Sequence, residues 1–353
     1  MAFKTAAGYG NLPNGNFSPV IYSKKVQSAF RKTSIVEDIT NSDYFGEIAN
    51  FGDTVRIIKE PEITVQEYAR GTQVTPQDLT DDDFTLVVDK ANYFAFKIDD
   101  IEEAHSHVNF ESMASDRAGY RLKDQFDQEV LGYLSGFKQS ALSTVADTAN
   151  DVKSGTDPVA AGSDGLLSSM ELTHGDFASG GTAANSIAMS ASNASAVATP
   201  LAILNRMSRL LDQQNVDRDG RWVVVDPVFA EELNDENSKL LNNDFAGGQN
   251  AGDLLRNGRV ISGLIRGFRV YMSNNLPSIG TGSSTIATAG SQTNFGVVVA
   301  GHDSAVATAS QVEKVETYRD NDSFADIVRG MHLYGRKILR PEALVRAKYN
   351  LYS

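Results

Sequence analysis

The alternation of apolar and polar positions between residues 51 and 98 predicts a long β-hairpin. The outgoing limb contains Val55, Ile57, Ile58, Ile63 and Val65. The return limb contains Phe84, Leu86, Val88, Tyr93, Phe94, Phe96 and Ile98. A polar region with Gly71 and Pro76 separates the limbs, so we predict a broad turn. Two limbs of about fifteen residues would project on the order of 50 Å, and a two-stranded ribbon of that reach is marginal in water. The pattern therefore indicates that another subunit stabilises the hairpin.

A helical repeat follows the hairpin. Apolar side chains recur at three- or four-residue spacing at Ala114, Ala118, Leu122, Phe126, Val130, Tyr133 and Phe137. Asn109 can cap the first turn, so we predict one helix over residues 109–137, roughly 40 Å long. Residues 99–104 predict a short helical turn before it. A helix of this length indicates a structural strut.

The second half of the chain predicts a compact α/β unit. Pro200 begins an amphipathic helix that extends to Leu211. The β-branched run over residues 221–225 predicts a buried strand, and a short helix is predicted over 229–233. Further strands are predicted over residues 258–261, 268–272, 295–300, 312–318, 324–334 and 343–349. A surface loop is predicted over residues 278–292.

Two segments lack a clear period. Residues 1–34 contain five residues that keep the chain open, namely Gly8, Gly10, Pro13, Gly15 and Pro19. We therefore predict an extended arm that becomes ordered against a partner. Residues 140–199 are rich in Ala, Ser, Thr and Gly, so we predict loops and short elements over one face of a domain.

Composition narrows the class of protein. The 353 residues include 32 Lys and Arg against 45 Asp and Glu, for a net charge of −13, which argues against a surface that grips phosphates. The chain has no cysteine, so disulfides and thiolate metal sites play no part. No apolar run approaches the roughly twenty residues of a membrane span, and residues 1–5 carry no signal core. We therefore expect a soluble, non-exported chain.

One stretch approximates a calcium-binding loop. Asn215, Asp217, Asp219 and Gly220 have suitable spacing, and Asp226 occupies the twelfth place. However, an asparagine replaces the usual first aspartate, an aspartate replaces the bidentate glutamate, and a strand follows instead of a helix. A helix-to-strand turn uses the same residue types, so we favour a turn over a calcium site.

The chain shows no catalytic constellation. His302 and Asp303 follow a predicted strand, but no activated nucleophile accompanies them, and the Gly-x-Ser-x-Gly, His-Glu-x-x-His and Walker motifs are absent from the sequence. His105 and His107 lie two residues apart, which on a helix places them on different faces. Trp222 lies within an apolar run and is predicted to be core. We predict no catalytic, cofactor or metal site.

Short stretches along nearly the whole chain resemble the major capsid proteins of tailed bacteriophages, especially the coats of short-tailed phages. These stretches are residues 96–102, 224–227, 267–271, 275–277, 302–306, 312–316, 335 and 340–343. The resemblance implies an α+β phage major-capsid fold, which encapsulins and herpesvirus capsid floor domains share. In that fold an N-terminal arm, an extended hairpin, a peripheral domain on a spine helix and an axial domain follow in order.

The resemblance also implies domain boundaries. They are an N-terminal arm at 1–34, the start of the peripheral domain at 35–50, the hairpin loop at 51–98, the peripheral domain at 99–199 with spine helix 109–137, the axial domain at 200–310 and return strands to the peripheral domain at 311–353. The segment over residues 140–199 matches the family least well.

The function implied is that of a shell subunit, not an enzyme. Pentamers and hexamers would close an icosahedral shell around packaged double-stranded DNA, in a virion assembled in the host cytoplasm and matured from a procapsid. The implied partners are further copies of the chain, a separate scaffolding protein, a portal, a decoration protein and weakly held DNA, without a membrane. Two alternatives remain open: an encapsulin-type compartment, and an enzyme that uses His302 and Asp303.

Charged residues suggest one contact between subunits. The predicted hairpin tip carries Asp78, Asp81, Asp82 and Asp83. The predicted spine helix carries Arg117, Arg121 and Lys123. Residues four apart share a helix face, so at least the two arginines point the same way. Because the resemblance places a neighbour's hairpin across this domain, we expect the acidic tip to meet the basic helix face.

Overall fold

A computed structural model of the chain describes residues 34–42, 54–59, 63–71, 73, 76–78, 82–99, 110–135, 167–178, 186–190, 196–234, 264–276, 278–279, 295–321 and 323–351. Several predictions concern residues outside these ranges. They are the arm over residues 1–33, the helical turn over 100–104, the histidine pair at 105 and 107, the strand over 258–261 and the loop over 280–292.

The described chain mixes helices and strands. Its helices are α1 (Val36–Ile39), α2 (Phe110–Ser135), α3 (Pro200–Gln213) and α4 (Pro227–Leu233). Short 3-10 helices occur at Ser168–Met170, His174–Asp176 and Pro341–Ala343. Its strands are β1 (Thr54–Lys59), β2 (Asp82–Val87), β3 (Lys90–Asp99), β4 (Glu171–Leu172), β5 (Ile187–Met189), β6 (Arg221–Val225), β7 (Arg269–Met272), β8 (Ser278–Ile279), β9 (Phe295–His302), β10 (Val306–Arg319), β11 (Ala325–Ile338) and β12 (Leu344–Leu351).

A seven-stranded sheet forms the centre of the described chain. Its strand order is β4, β12, β9, β6 and β7, with β5 beside β12 and β8 beside β9. All five residues of β6 are buried, because both faces of the sheet are covered. Val223 and Val225 pack in a cluster with α3 and α4, and Trp222 and Val224 pack in a cluster with α2. The burial of Trp222 confirms that it is a core residue.

Local signals position α3 and α4 as predicted. Pro200 is in the first turn of α3, and the Thr199 hydroxyl caps the helix by accepting a hydrogen bond from the N–H of Ala202 at 3.3 Å. Pro227 begins α4, and the side chain of Asp226 accepts from the N–H of Phe229 at 3.1 Å. These two caps confirm the predicted helix–strand–helix order in this unit.

The segment predicted to hold loops and short elements contributes two short strands to the large sheet. β4 and β5 lie within residues 140–199 and run parallel to β12. All three residues of β5 are buried. Strands of two and three residues are too short to show alternation, which explains why the pattern did not predict them. β4, β5 and β12 lie outside residues 200–310 and pair within the same sheet as β6, β7 and β9.

A second sheet supports the long helix. Its strand order is β10, β11 and β3, and β10 and β11 each contain 14 residues. The helix predicted over residues 109–137 is α2, and the ring of Phe126 on α2 packs edge-on against that of Tyr334, with centroids 4.9 Å apart. The described part of the chain therefore confirms the long helix and its packing face.

The hairpin pairs over a shorter length than predicted. β1 and β2 form six antiparallel pairs, from Thr54 opposite Val87 to Lys59 opposite Asp82. The rest of the predicted return limb, β3, pairs with β11 instead of with the outgoing limb. An alternating strand shows which face is apolar but does not specify its partner, so the sequence pattern could not separate the two pairings.

Candidate intersubunit surface

Apolar side chains of the hairpin are packed at its base and exposed to solvent farther along the chain. Val55 and Ile57 lie against a small core that contains Leu86, which is fully buried. By contrast, the side chain of Ile58 is 83% exposed and that of Val65 is 93% exposed. Ile63 and Tyr68 continue the exposed apolar series. Several exposed apolar residues in one segment are typical of a surface that another molecule covers. We call residues 54–59, 63–71 and 82–87 the ribbon.

The acidic residues of the predicted hairpin tip differ in their surroundings. Asp83 lies 3.6 Å from the guanidinium of Arg56, and both side chains are largely exposed, so this pair contributes little to stability. Asp82 lies opposite Lys59 in the strand register. Asp78 is exposed, and Asp81 lies outside the described residues.

The basic residues of α2 differ in how far they are already paired. Lys123 Nζ lies 2.9 Å from Glu37 of α1, and Arg121 lies 3.4 Å from Asp124. The guanidinium of Arg117 stacks over the ring of Tyr120 at 5.3 Å, an arrangement that leaves its charge facing solvent. Of the three cations proposed for the contact, Arg117 is therefore the best placed to receive an external acid.

The three-stranded sheet exposes apolar residues that the sequence analysis did not select. Tyr93 and Met331 are directly opposite each other on β3 and β11, and both are exposed. Phe324, in the turn between β10 and β11, is 80% exposed. A phenylalanine in an otherwise polar turn was a detectable signal, whereas the exposed face of β3 depended on knowing its partner strand.

Polar contacts attach α2 to both the three-stranded and the seven-stranded sheet. The hydroxyl of Tyr334 donates to Glu129, and Arg336 donates to the same carboxylate at 3.2 Å. Burial, together with the nearby Glu129 carboxylate, raises the pKa of Tyr334, so its hydroxyl remains a donor at neutral pH. At the end of α2, the buried Arg346 donates to the carbonyl of Ser135 at 3.2 Å. The long helix is thus fixed by charged groups as well as by its apolar stripe.

The candidate calcium loop forms a turn with other roles. Arg221 is buried and donates to the carbonyl of Asp217 and to Asp212, which closes the turn between α3 and β6. Asp226 caps α4 and also accepts from the hydroxyl of Tyr349. Burial raises the pKa of Asp226 and outweighs these hydrogen bonds. The described residues contain no group of three potential metal ligands.

His302 and Asp303 have separate partners. His302 Nδ1 lies 2.8 Å from the hydroxyl of Ser304, and its Nε2 lies 2.8 Å from the carbonyl of Asp219. Asp303 instead accepts from Arg269 through both oxygens, at 2.5 and 2.6 Å. The contact of His302 holds the turn after β9 against the turn before β6, and that of Asp303 holds it against β7. They do not assemble the nucleophile, base and orienting group that catalysis requires.

Comparison with known proteins agrees with this architecture. A family model described as phage capsid protein matches residues 59–347. A solved structure from Mycobacterium phage Che8 has a TM-score of 0.67 and 25% identity, and the alignment covers 94% of this chain and 97% of that chain. The capsid structure of cyanophage P-SCSP1u has a TM-score of 0.61 and 20% identity, covering 96% of this chain and 93% of that one.

A further structural match, the capsid of Ralstonia phage GP4, has a TM-score of 0.64 and 12% identity, with 99% of each chain covered. At such identities the matches with the GP4 and cyanophage capsids show a shared fold.

A search of curated protein sequences finds no match to the chain. No described helix is both long and apolar enough to cross a membrane. The family match spans most of the chain, which therefore belongs to the phage capsid protein family.

Proposed function

We propose that copies of this major capsid protein assemble as pentamers and hexamers into an icosahedral shell that encloses packaged double-stranded DNA. Family membership makes the chain a structural shell component of a virion and not an enzyme. The observation that carries the proposal is the exposure of Ile58 and Val65 on the ribbon, which no described residue of the subunit covers. A second copy of the chain can supply that cover.

The proposed contact places the ribbon of one subunit over α2 of its neighbour. The apolar residues would supply most of the burial, and the acids at Asp78 and residues 81–83 would approach Arg117 and Arg121. Each exposed ion pair contributes only about 0–1 kcal/mol, so charge would orient the contact more than stabilise it. The intrasubunit partner of Lys123 makes that residue the least suited of the three cations.

The charge of the chain supports the role of a container. A net charge of −13 repels DNA, so the shell would enclose its cargo without gripping it. The family resemblance supports a procapsid that matures, a separate scaffolding protein, a portal and a decoration protein as partners, with assembly in the host cytoplasm. It also supports a peripheral role for α2 with its three-stranded sheet and an axial role for the α/β unit at residues 200–310.

Co-expression with the scaffolding protein, followed by light scattering and electron microscopy, tests the proposal. We expect closed particles of uniform size, and particles from infected cells should carry a portal and nuclease-protected DNA. Particles that enclose a protein cargo instead would support the encapsulin-type alternative. A compact monomer of 38.1 kDa under all these conditions would refute the shell function.

A further inference from the structure

A buried carboxylate on α2 holds the segment that enters α1. Asp127 is fully buried, and its Oδ1 atom accepts hydrogen bonds from the backbone N–H groups of Ile35 at 2.9 Å and Val36 at 3.1 Å. The same oxygen accepts from the hydroxyl of Ser34 at 3.0 Å. One carboxylate oxygen thus fixes three consecutive residues that lie more than 90 positions away in the sequence. Ser34 is the residue through which positions 1–33 join the described body.

The other oxygen of the same carboxylate holds a different part of the chain. Asp127 Oδ2 accepts from the side-chain amide of Asn275 at 2.9 Å, and the same amide nitrogen donates to Asp124 at 3.0 Å. The amide oxygen of Asn275 accepts from Gln128 at 3.2 Å. Both amide hydrogens and the amide oxygen are therefore used. Residues 273–276, which we call the β7 loop, are tied to α2 by an asparagine whose amide nitrogen and oxygen both bond residues of that helix.

These bonds matter because apolar packing covers only part of α1. Val36 and Ile39 are buried, but Glu37 and Thr40 line a cavity of about 580 Å³ between α1, α2 and the three-stranded sheet. Hydrogen bonds to a buried carboxylate are stronger and more directional than neutral ones, so they fix the orientation that packing leaves open.

We propose that Asp127 is a positioning residue for shell assembly, because it fixes residues 34–36 against α2 and couples them to the β7 loop. The two oxygens act on two elements, so a displacement of one changes the hydrogen bonds available to the other. Neighbouring subunits that share a closed shell need matching arm positions and matching axial units. The assembly part of the proposal rests on the proposed function, whereas the coupling within the subunit does not.

The hydrogen-bonding chemistry of Asp127 and Asn275 predicts what an amide at position 127 would do. An amide at position 127 keeps one oxygen for the N–H groups of Ile35 and Val36, but it presents an NH₂ group to the amide nitrogen of Asn275. If Asn275 rotates to relieve that contact, its oxygen meets the carboxylate of Asp124. Asp127→Asn should therefore break the link to the β7 loop and leave only a weaker, neutral cap on α1.

Hydrogen exchange on the full chain, below the concentration for assembly, tests the coupling. Asn275→Ala removes an amide that is hydrogen-bonded to Asp127, Asp124 and Gln128 of α2, and we expect the amides of Ile35 and Val36 to exchange roughly three- to tenfold faster. Asp127→Asn breaks the same link and also replaces the charged acceptor by a neutral one, so it should accelerate exchange at Ile35 and Val36 at least as much, and in the β7 loop as well. Exchange in β12 serves as the reference for global stability.

A control variant removes a half-buried charge, that of Glu129, from the same helix. Glu129→Gln affects the contact with Tyr334 and Arg336 and should leave exchange at residues 34–42 unchanged. If Asn275→Ala leaves Ile35 and Val36 at the wild-type rate relative to β12, or if Glu129→Gln accelerates them equally, the coupling is refuted.

Electron microscopy of shells then tests the positioning role. Asp127→Asn should give open or variably sized particles, whereas Glu129→Gln should give closed, uniform ones. Uniform closed shells from Asp127→Asn would refute the positioning role even if exchange shows coupling. If the wild-type chain itself forms no shells, the proposed function fails, and the exchange result still decides whether the two elements are coupled.

Discussion

Replacing Val65 by serine should weaken shell assembly without weakening the subunit. Val65 is 93% exposed within one subunit, so its removal should change the free energy of unfolding by no more than about 0.5 kcal/mol. If a neighbour buries it, the lost burial is about 1.5 kcal/mol, which corresponds to roughly a tenfold weaker contact. Each subunit of a closed shell repeats this loss.

Light scattering against protein concentration measures the effect. We expect the concentration at which Val65→Ser particles first form to rise about tenfold, while urea unfolding of the free subunit stays at the wild-type midpoint. Ile57→Ser is the crossed control, because Ile57 is half-buried at the base of the ribbon and its loss should lower the unfolding midpoint. Assembly of Val65→Ser at the wild-type concentration would refute the idea that the ribbon is covered by a neighbour.

Three further predictions concern charge, protonation and packing. Changing residues 81–83 to lysine should impair shell closure in low salt, where charges are least screened. Replacing Arg117 and Arg121 by acidic residues in the same variant should partly restore closure. Normal closure of the triple lysine variant would contradict charge-guided docking. Because burial raises the pKa of Asp226 above 3.8, the folded chain holds that proton more tightly and stability should fall as pH rises through the raised pKa. Asp226→Asn, which can still cap α4, should remove this part of the pH dependence of urea unfolding, and an unchanged profile would contradict it. Gly296→Ala would place its Cβ atom 2.6 Å from an aromatic ring of β12, so thermal unfolding should show a loss of about 1–3 kcal/mol; an unchanged midpoint would contradict the close packing.

Elements with strong local signals were predictable from the sequence. α3 has a proline in its first turn and an apolar stripe, and β6 is a continuous β-branched run that ends at the cap of α4. The long helix α2 followed from one apolar period. In each case the signal lies within the element itself, so no knowledge of distant partners was needed.

The sequence did not predict which elements far apart in the chain contact each other. β3 alternates in the same way whether it pairs with β1 or with β11, and only the folded chain distinguishes these. A carboxylate that faces solvent and one that is buried as a cap also look alike in sequence. For this reason the sequence does not distinguish Asp127 from the exposed polar residues of α2, although its side chain is fully buried.

Single-particle electron microscopy of assembled shells tests the central claim most directly, because it locates the ribbon relative to subunit boundaries. We predict that residues 54–71 of each subunit lie across α2 of an adjacent subunit, with Ile58 and Val65 covered by that neighbour. Closed shells in which these two side chains remain exposed to solvent, or in which the ribbon packs on its own subunit, would contradict the account.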